Sequence, residues 1–138
     1  MNTGSDFYDI IAKTNAQRKA SEICDQEYVE RYVDDSFFAY SRGEFLVALT
    51  NNGQTQQRQV TYHPFNEGDT VCNIFYPTTD CQTVKGGVDV YLANGESKIY
   101  VPQSKLSAEL TAEAVFLLVP LPFSRPPPPL AAWVYNAV

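Results

Sequence analysis

Phe7, Ile10, Ile11, Thr14 and Arg18 recur at the spacing of one helical face. This predicts an amphipathic helix over residues 6–19, capped by Ser5 or Asp6, with Asp9 and Lys13 as an i,i+4 charge pair on another face. The apolar stripe of Phe7, Ile10 and Ile11 has to be buried on something. From Glu27 the period drops from 3.6 to 2. Short strands are expected over 28–33, 37–42, 45–50, 58–62, 70–75, 82–84, 88–92 and 98–101. Turn signals punctuate them: Asp34-Asp35, Gly43-Glu44, Asn51-Asn52-Gly53, 66–69, Gly86-Gly87 and Asn94-Gly95. Gly43-Glu44 and Asn94-Gly95 read as hairpin turns. The unbroken run Phe45-Leu46-Val47-Ala48 predicts a strand buried on both faces. Many short strands at this spacing argue a mainly β fold, an antiparallel Greek-key-like β-sandwich behind one N-terminal helix. After Pro102 the character changes. A short helix over 107–118 could be capped by Ser107 or Thr111, and Pro126 to Pro129 is a stiff polyproline stretch. Residues 131–138 are apolar without pattern, and this irregular tail does not read as sandwich core. The expected division is therefore 1–23, 24–102 and 103–138.

Composition narrows the class. With 138 residues, 44% hydrophobic and 13% aromatic, the chain suits one globular domain. Its net charge is −6, and its basic residues are scattered, with no run longer than Arg18-Lys19. Nucleic acid and anionic membrane are therefore not expected partners. The apolar run around Val119-Pro120-Leu121-Pro122 is too short and proline-broken to span a bilayer. Residues 1–20 lack the apolar core of a signal peptide.

Cys72 and Cys81 flank a Tyr-Pro-Thr-Thr-Asp turn, a loop that a disulfide closes easily in an oxidising compartment. Cys24 is left over, either buried or paired with something outside the chain. One His and three scattered Cys do not make a zinc site. No cofactor or metal site is expected.

Candidate chemistry is sparse. His63, the only histidine, sits in Tyr62-His63-Pro64 with no nucleophile motif near it, and reads as a loop-facing or partly buried ring. Asp34-Asp35 reads as an Asx turn, because adjacent strand residues point opposite ways and cannot converge on a metal. The 66–69 segment lacks an EF-hand register. Gly86-Gly87 has neither the helix nor the Lys-Ser/Thr of a phosphate loop. No catalytic residue is expected.

One stretch carries a resemblance. Glu30-Arg31-Tyr32-Val33-Asp34-Asp35-Ser36-Phe37-Phe38-Ala39-Tyr40-Ser41-Arg42-Gly43, followed by Leu46-Val47-Ala48-Leu49-Thr50-Asn51, resembles the opening of the C-terminal β domain of secreted α-amylases. Phe7-Tyr8, Ile10-Ile11, Asn15 and Arg18 look like the last barrel helix, and 70–75 and 88–92 like later strands of the domain. The likeness runs over about residues 5–102, and its motifs are structural. It implies a glycoside hydrolase whose acidic catalytic residues and calcium lie on a (β/α)₈ barrel outside this segment. It implies that Phe7, Ile10 and Ile11 pack on that barrel, whether joined in one chain or separate. It also implies an extracellular parent and a Cys72–Cys81 disulfide. Two alternatives remain open. The chain could be a free-standing α-glucan-binding module, which needs an exposed, coplanar aromatic pair on one sheet face. It could instead be a structural domain that docks through its helix.

Overall fold

A computed structural model describes residues 6–110. The expected helix end near 118 and the proline-rich tail lie outside the described residues.

Helix α1 spans Asp6–Ala20, with Asp6 and Asp9 in its first turn and Arg18 and Lys19 in its last. Both placements suit the helix dipole. A single 3₁₀ turn, Ile23–Asp25, leads into the β domain. Eight strands follow: β1 (Tyr28–Val33), β2 (Phe37–Arg42), β3 (Phe45–Thr50), β4 (Gln56–Val60), β5 (Thr70–Asn73), β6 (Cys81–Thr83), β7 (Val88–Leu92) and β8 (Lys98–Pro102). They form a six-stranded sheet in the order β1-β2-β3-β8-β5-β6 and a two-stranded sheet of β4 and β7. All pairings are antiparallel. The fold is a mainly β sandwich, in which β8 inserts between β3 and β5 after the chain has visited the second sheet.

The apolar run of β3 explains the layering. Because side chains alternate across a strand, Leu46 and Ala48 point one way and Phe45 and Val47 the other. All four are buried. Leu46 and Ala48 join Phe37, Val60, Val90, Leu92 and Tyr100 in the core between the sheets. Phe45 and Val47 join Ile23, Ile74, Ile99, Val101 and Leu110 in a second cluster on the outer face of the six-stranded sheet. A domain of this size ordinarily packs one core between its layers. Here one sheet supplies apolar surface to both sides.

The hairpin at Gly43-Glu44 is as expected. Gly43 has φ +55° there, a conformation that strains residues with a Cβ. Asn94-Gly95 is not a hairpin turn. Both residues have positive φ, but β7 and β8 belong to different sheets. The turn carries the chain across the sandwich, and Glu96 fastens it by accepting the Ala93 N–H (3.0 Å) and donating its own N–H to the Ala93 carbonyl (3.0 Å).

Strand β8 runs one residue beyond expectation, to Pro102, and three other strands move further. The expected strand 58–62 is Gln56–Val60, because its ladder runs from Gln56 opposite Leu92 to Val60 opposite Val88. Tyr62 falls outside it, exposed, with the Arg31 guanidinium 4.4 Å from its ring centre. The strand 70–75 stops at Asn73, whose side chain accepts the Phe75 N–H (3.2 Å) and donates to Asp80 (3.1 Å), turning the chain. The strand 82–84 starts earlier, at Cys81 paired with Cys72, and Val84 instead closes a loop with Asp69 (2.8 Å) and Gly68 (2.9 Å).

Candidate functional site

The expected helix face is present and lies open. Phe7 is 78% exposed, Ile10 44% and Ile11 56%. Helix α1 buries one residue, Gln17. The Gln17 amide donates to the Lys105 carbonyl (2.8 Å) and to Ser21 Oγ (2.8 Å), and its oxygen accepts the Ser107 N–H (2.8 Å). A polar clamp, rather than apolar packing, therefore fixes the C-terminal half of the helix to the segment leaving β8. Sequence periodicity had no means of finding Gln17, since the two backbone partners that bury it lie about ninety positions away and a helix glutamine ordinarily faces water.

Two grooves flank the helix. One, of about 590 Å³, separates Thr14 and Arg18 of α1 from Tyr40, Phe45, Val47 and Ile99 on the outer sheet face. The other, of about 490 Å³, runs between the N-terminal half of α1 and the turn around Tyr76 and Glu96. The outer cluster was legible only in part: the phase of Phe45 and Val47 is readable, but which face pairs with the second sheet is not.

The cysteines separate as the resemblance implied. Cys72 and Cys81 form a disulfide linking β5 to β6. Cys24 is free and exposed, which removes the buried alternative.

The remaining polar candidates serve the fold. Asp34 makes the expected Asx turn: Oδ1 accepts the N–H groups of Ser36 (2.9 Å) and Phe37 (2.7 Å). Its Oδ2 accepts from Arg58 Nε at 2.7 Å, tying the β1–β2 turn to β4 of the other sheet. The Arg58 hydrogen bond and then the Ser36 N–H hold the Asp34 pKa down at about 2, against an ordinary value of 3.8. A depressed carboxylate pKa stabilises the fold above its unfolded value, and this stabilisation is lost as pH falls through the folded one. The stability gap between the wild-type protein and Asp34→Asn should thus be full above about pH 5 and close towards pH 2. An NMR titration of the Asp34 carboxyl with its midpoint at 3.8 rather than near 2 would contradict this. Tyr100 shifts the other way. Burial first, then the nearby charges of Asp80 and Glu96, push its hydroxyl well above the usual tyrosine range.

His63 Nδ1 accepts the Phe65 N–H (3.3 Å), and the ring stacks on Phe65 with centres 6.0 Å apart. The 66–69 segment is a turn closed by Asp69 N–H to the Asn66 carbonyl (3.1 Å). The Gly86 N–H donates to the Glu67 carboxylate (2.8 Å). Among the described residues, no three His, Cys, Asp or Glu side chains gather as a metal site, and no helix is long and apolar enough to cross a membrane. On the outer face the Tyr28 and Tyr40 rings stand 5.3 Å apart but tilted by 34°, and Phe38 leans on Tyr40 at 31°. These rings pack against one another instead of lying in one plane.

Comparison with known proteins converges on one enzyme family. An α-amylase of Saccharomycopsis fibuligera is 31% identical over 108 residues, 73% of this chain and 22% of that protein. The chain is a partial relative of α-amylases. It spans about a fifth of that relative's length. The α-amylase of Malbranchea cinnamomea superposes with a TM-score of 0.69 at 21% identity, covering 78% of this chain and 24% of that one. An Anoxybacillus α-amylase gives 0.59 at 20% identity, over 74% and 24%. At such identities the two structures speak for the fold alone, and in both of them this sandwich is one part of a larger α-amylase. No family model matches the chain.

Proposed function

We propose that this chain is the C-terminal accessory part of an α-amylase-like glycoside hydrolase. In this reading residues 1–23 carry the last helix of a (β/α)₈ barrel, and 24–102 form the β domain that shields and stabilises that barrel. Starch hydrolysis, calcium binding and secretion are then properties of the parent enzyme, and the Cys72–Cys81 disulfide suits an extracellular parent. The observation that carries the reading is the open stripe of Phe7, Ile10 and Ile11 on a helix whose one buried side chain is the Gln17 clamp. Apolar side chains in water forgo the free energy of burial, about 1.5–3 kcal/mol each when fully buried. A contiguous stripe of them marks an interface.

The test is co-expression with the Saccharomycopsis fibuligera α-amylase deprived of its matching segment. The expected result is that the chain restores soluble, starch-degrading barrel, and that Phe7→Ser with Ile11→Ser lowers this rescue at least tenfold. Rescue unaffected by the double substitution, or no rescue at all, would refute docking through the helix. Release of reducing sugar from starch by the purified chain alone would refute the assignment of the chemistry to the barrel.

A further inference from the structure

The two sheets of the sandwich share no backbone ladder. Besides their common apolar core, polar side chains tie them at opposite ends of the six-stranded sheet. At the β1–β2 turn, Asp34 binds Arg58 of β4 (2.7 Å). At the far edge, Gln82 of β6 binds Asp89 of β7. The Gln82 amide donates to the Asp89 carbonyl (2.8 Å), and the Asp89 N–H donates to Gln82 Oε1 (2.9 Å). One side chain thus reproduces the paired bonds that a neighbouring antiparallel strand would make. Strand β7 ladders with β4 along one edge, and Gln82 occupies the other.

Gln82 is the middle residue of β6, an edge strand of three residues, Cys81–Thr83. So short an edge strand has little pairing of its own to hold it. It is fastened at both ends instead. At one end Val84 is buried in the core between the sheets and exchanges backbone bonds with Asp69 and Gly68. At the other, Cys81 is bonded to Cys72, which stands directly opposite it on β5. Cys72 is fully buried, and β5 ladders with β8 on its other side. The disulfide therefore fixes β6 to the interior of the six-stranded sheet, and one residue further on Gln82 reaches across to the second sheet. Asp80 keeps ties of its own to Asn73 (3.1 Å) and Lys98 (2.8 Å). Without the disulfide β6 is loosened, and the rest of the sheet retains its bonds.

We propose that the Cys72–Cys81 disulfide is a redox-sensitive clasp: its reduction by a dithiol releases β7 from Gln82 while the six-stranded sheet stays folded. Cys81 is partly exposed and Cys72 is fully buried, so the thiolate of the reagent attacks Cys81 Sγ. Cys72 leaves as a thiolate and takes up a proton from water. The second thiol of the reagent then displaces Cys81 as a thiol and closes the reagent into its own disulfide. Two protein thiols replace one S–S bond, and the dithiol is oxidised. No barrel takes part, so this inference and the barrel reading stand or fall separately.

Amide exchange at Asp89 reads the clasp directly, because its N–H donates to the Gln82 side chain. In the oxidised full chain this amide should be protected. Dithiothreitol, added until the chain titrates as three thiols in place of Cys24 alone, should speed its exchange several-fold. Val90, in the ladder with β4, and Leu46, on the central strand β3, should keep their protection. In the oxidised chain Gln82→Ala should give the same several-fold gain at Asp89, and reduction should then add nothing to it. Unchanged exchange at Asp89 in the reduced wild-type chain would overturn the proposal. An equal loss at Leu46 would overturn it as well, since the disulfide would then be a staple of the whole fold. A Gln82→Ala chain in which Asp89 stays protected, or loses further protection on reduction, would take Gln82 out of the path and overturn it too.

Discussion

Leu46→Ala should destabilise the β domain by about 3 kcal/mol, within the range of about 2–5 kcal/mol for such truncations in a packed core. Leu46 is fully buried in β3, the strand that pairs with both β2 and β8. Its side chain points between the sheets, beside Tyr100 and opposite the apolar residues of β7. The lost methyl groups remove burial free energy, and the space left is bounded by a sheet that apolar packing holds on both of its faces. That sheet cannot collapse into the void without disturbing Phe45 and Val47 behind it. Small domains have about 5–15 kcal/mol in total, so one such change consumes a large share. Urea unfolding followed by circular dichroism would measure it. A loss below about 1 kcal/mol would mean that the outer cluster lets β3 relax, and that the two-faced burial is weaker than the structure implies. Leu49→Ala, on the same strand but 38% exposed, is the matched control and should change little.

The same strand shows what was legible in advance. The four-residue apolar run fixed the two-faced burial of β3, and alternation between firm turn residues located Tyr28–Val33, Phe37–Arg42, Phe45–Thr50 and Val88–Leu92 to the residue. Where alternation fails, the boundary failed with it. Gln56–Val60 reads Gln-Gln-Arg-Gln-Val, polar on both faces, so nothing local marks its start. Asn94-Gly95 has the chemistry of a hairpin turn, yet local chemistry fixes only the turn and not which strand the chain then pairs with. The candidate site divides similarly. The exposed face of α1 was readable as a stripe in need of a partner, while the device that seats the helix was not. That device is one glutamine bonded to backbone groups far along the chain, a contact that no short-range pattern records.

Gln17→Met should therefore have an effect out of proportion to the change in shape. Methionine fills nearly the same volume but offers no donor, and it removes the bonds to the Lys105 carbonyl and the Ser107 N–H. Losing a bond to a buried backbone group costs about 1–3 kcal/mol, and of the two bonds lost the one from the Ser107 N–H is buried and the one to the Lys105 carbonyl part-buried. Helix α1 adds no apolar side chain to either core, so apolar packing does not oppose its release. Lifting away rehydrates both groups, which makes detachment the cheapest response. The expected result is loss of amide-exchange protection across α1 and the 105–110 segment, with β3 and β8 keeping theirs, because the sandwich does not depend on the clamp. Uniform loss of protection over helix and sheet would show instead that the clamp belongs to the global fold. Unchanged protection in α1 would show that something other than Gln17 holds it. Phe7→Ser separates these outcomes from a general weakening of the helix. Phe7 is 78% exposed and touches neither core, so its replacement should leave the exchange of the isolated chain alone while weakening association with the proposed barrel.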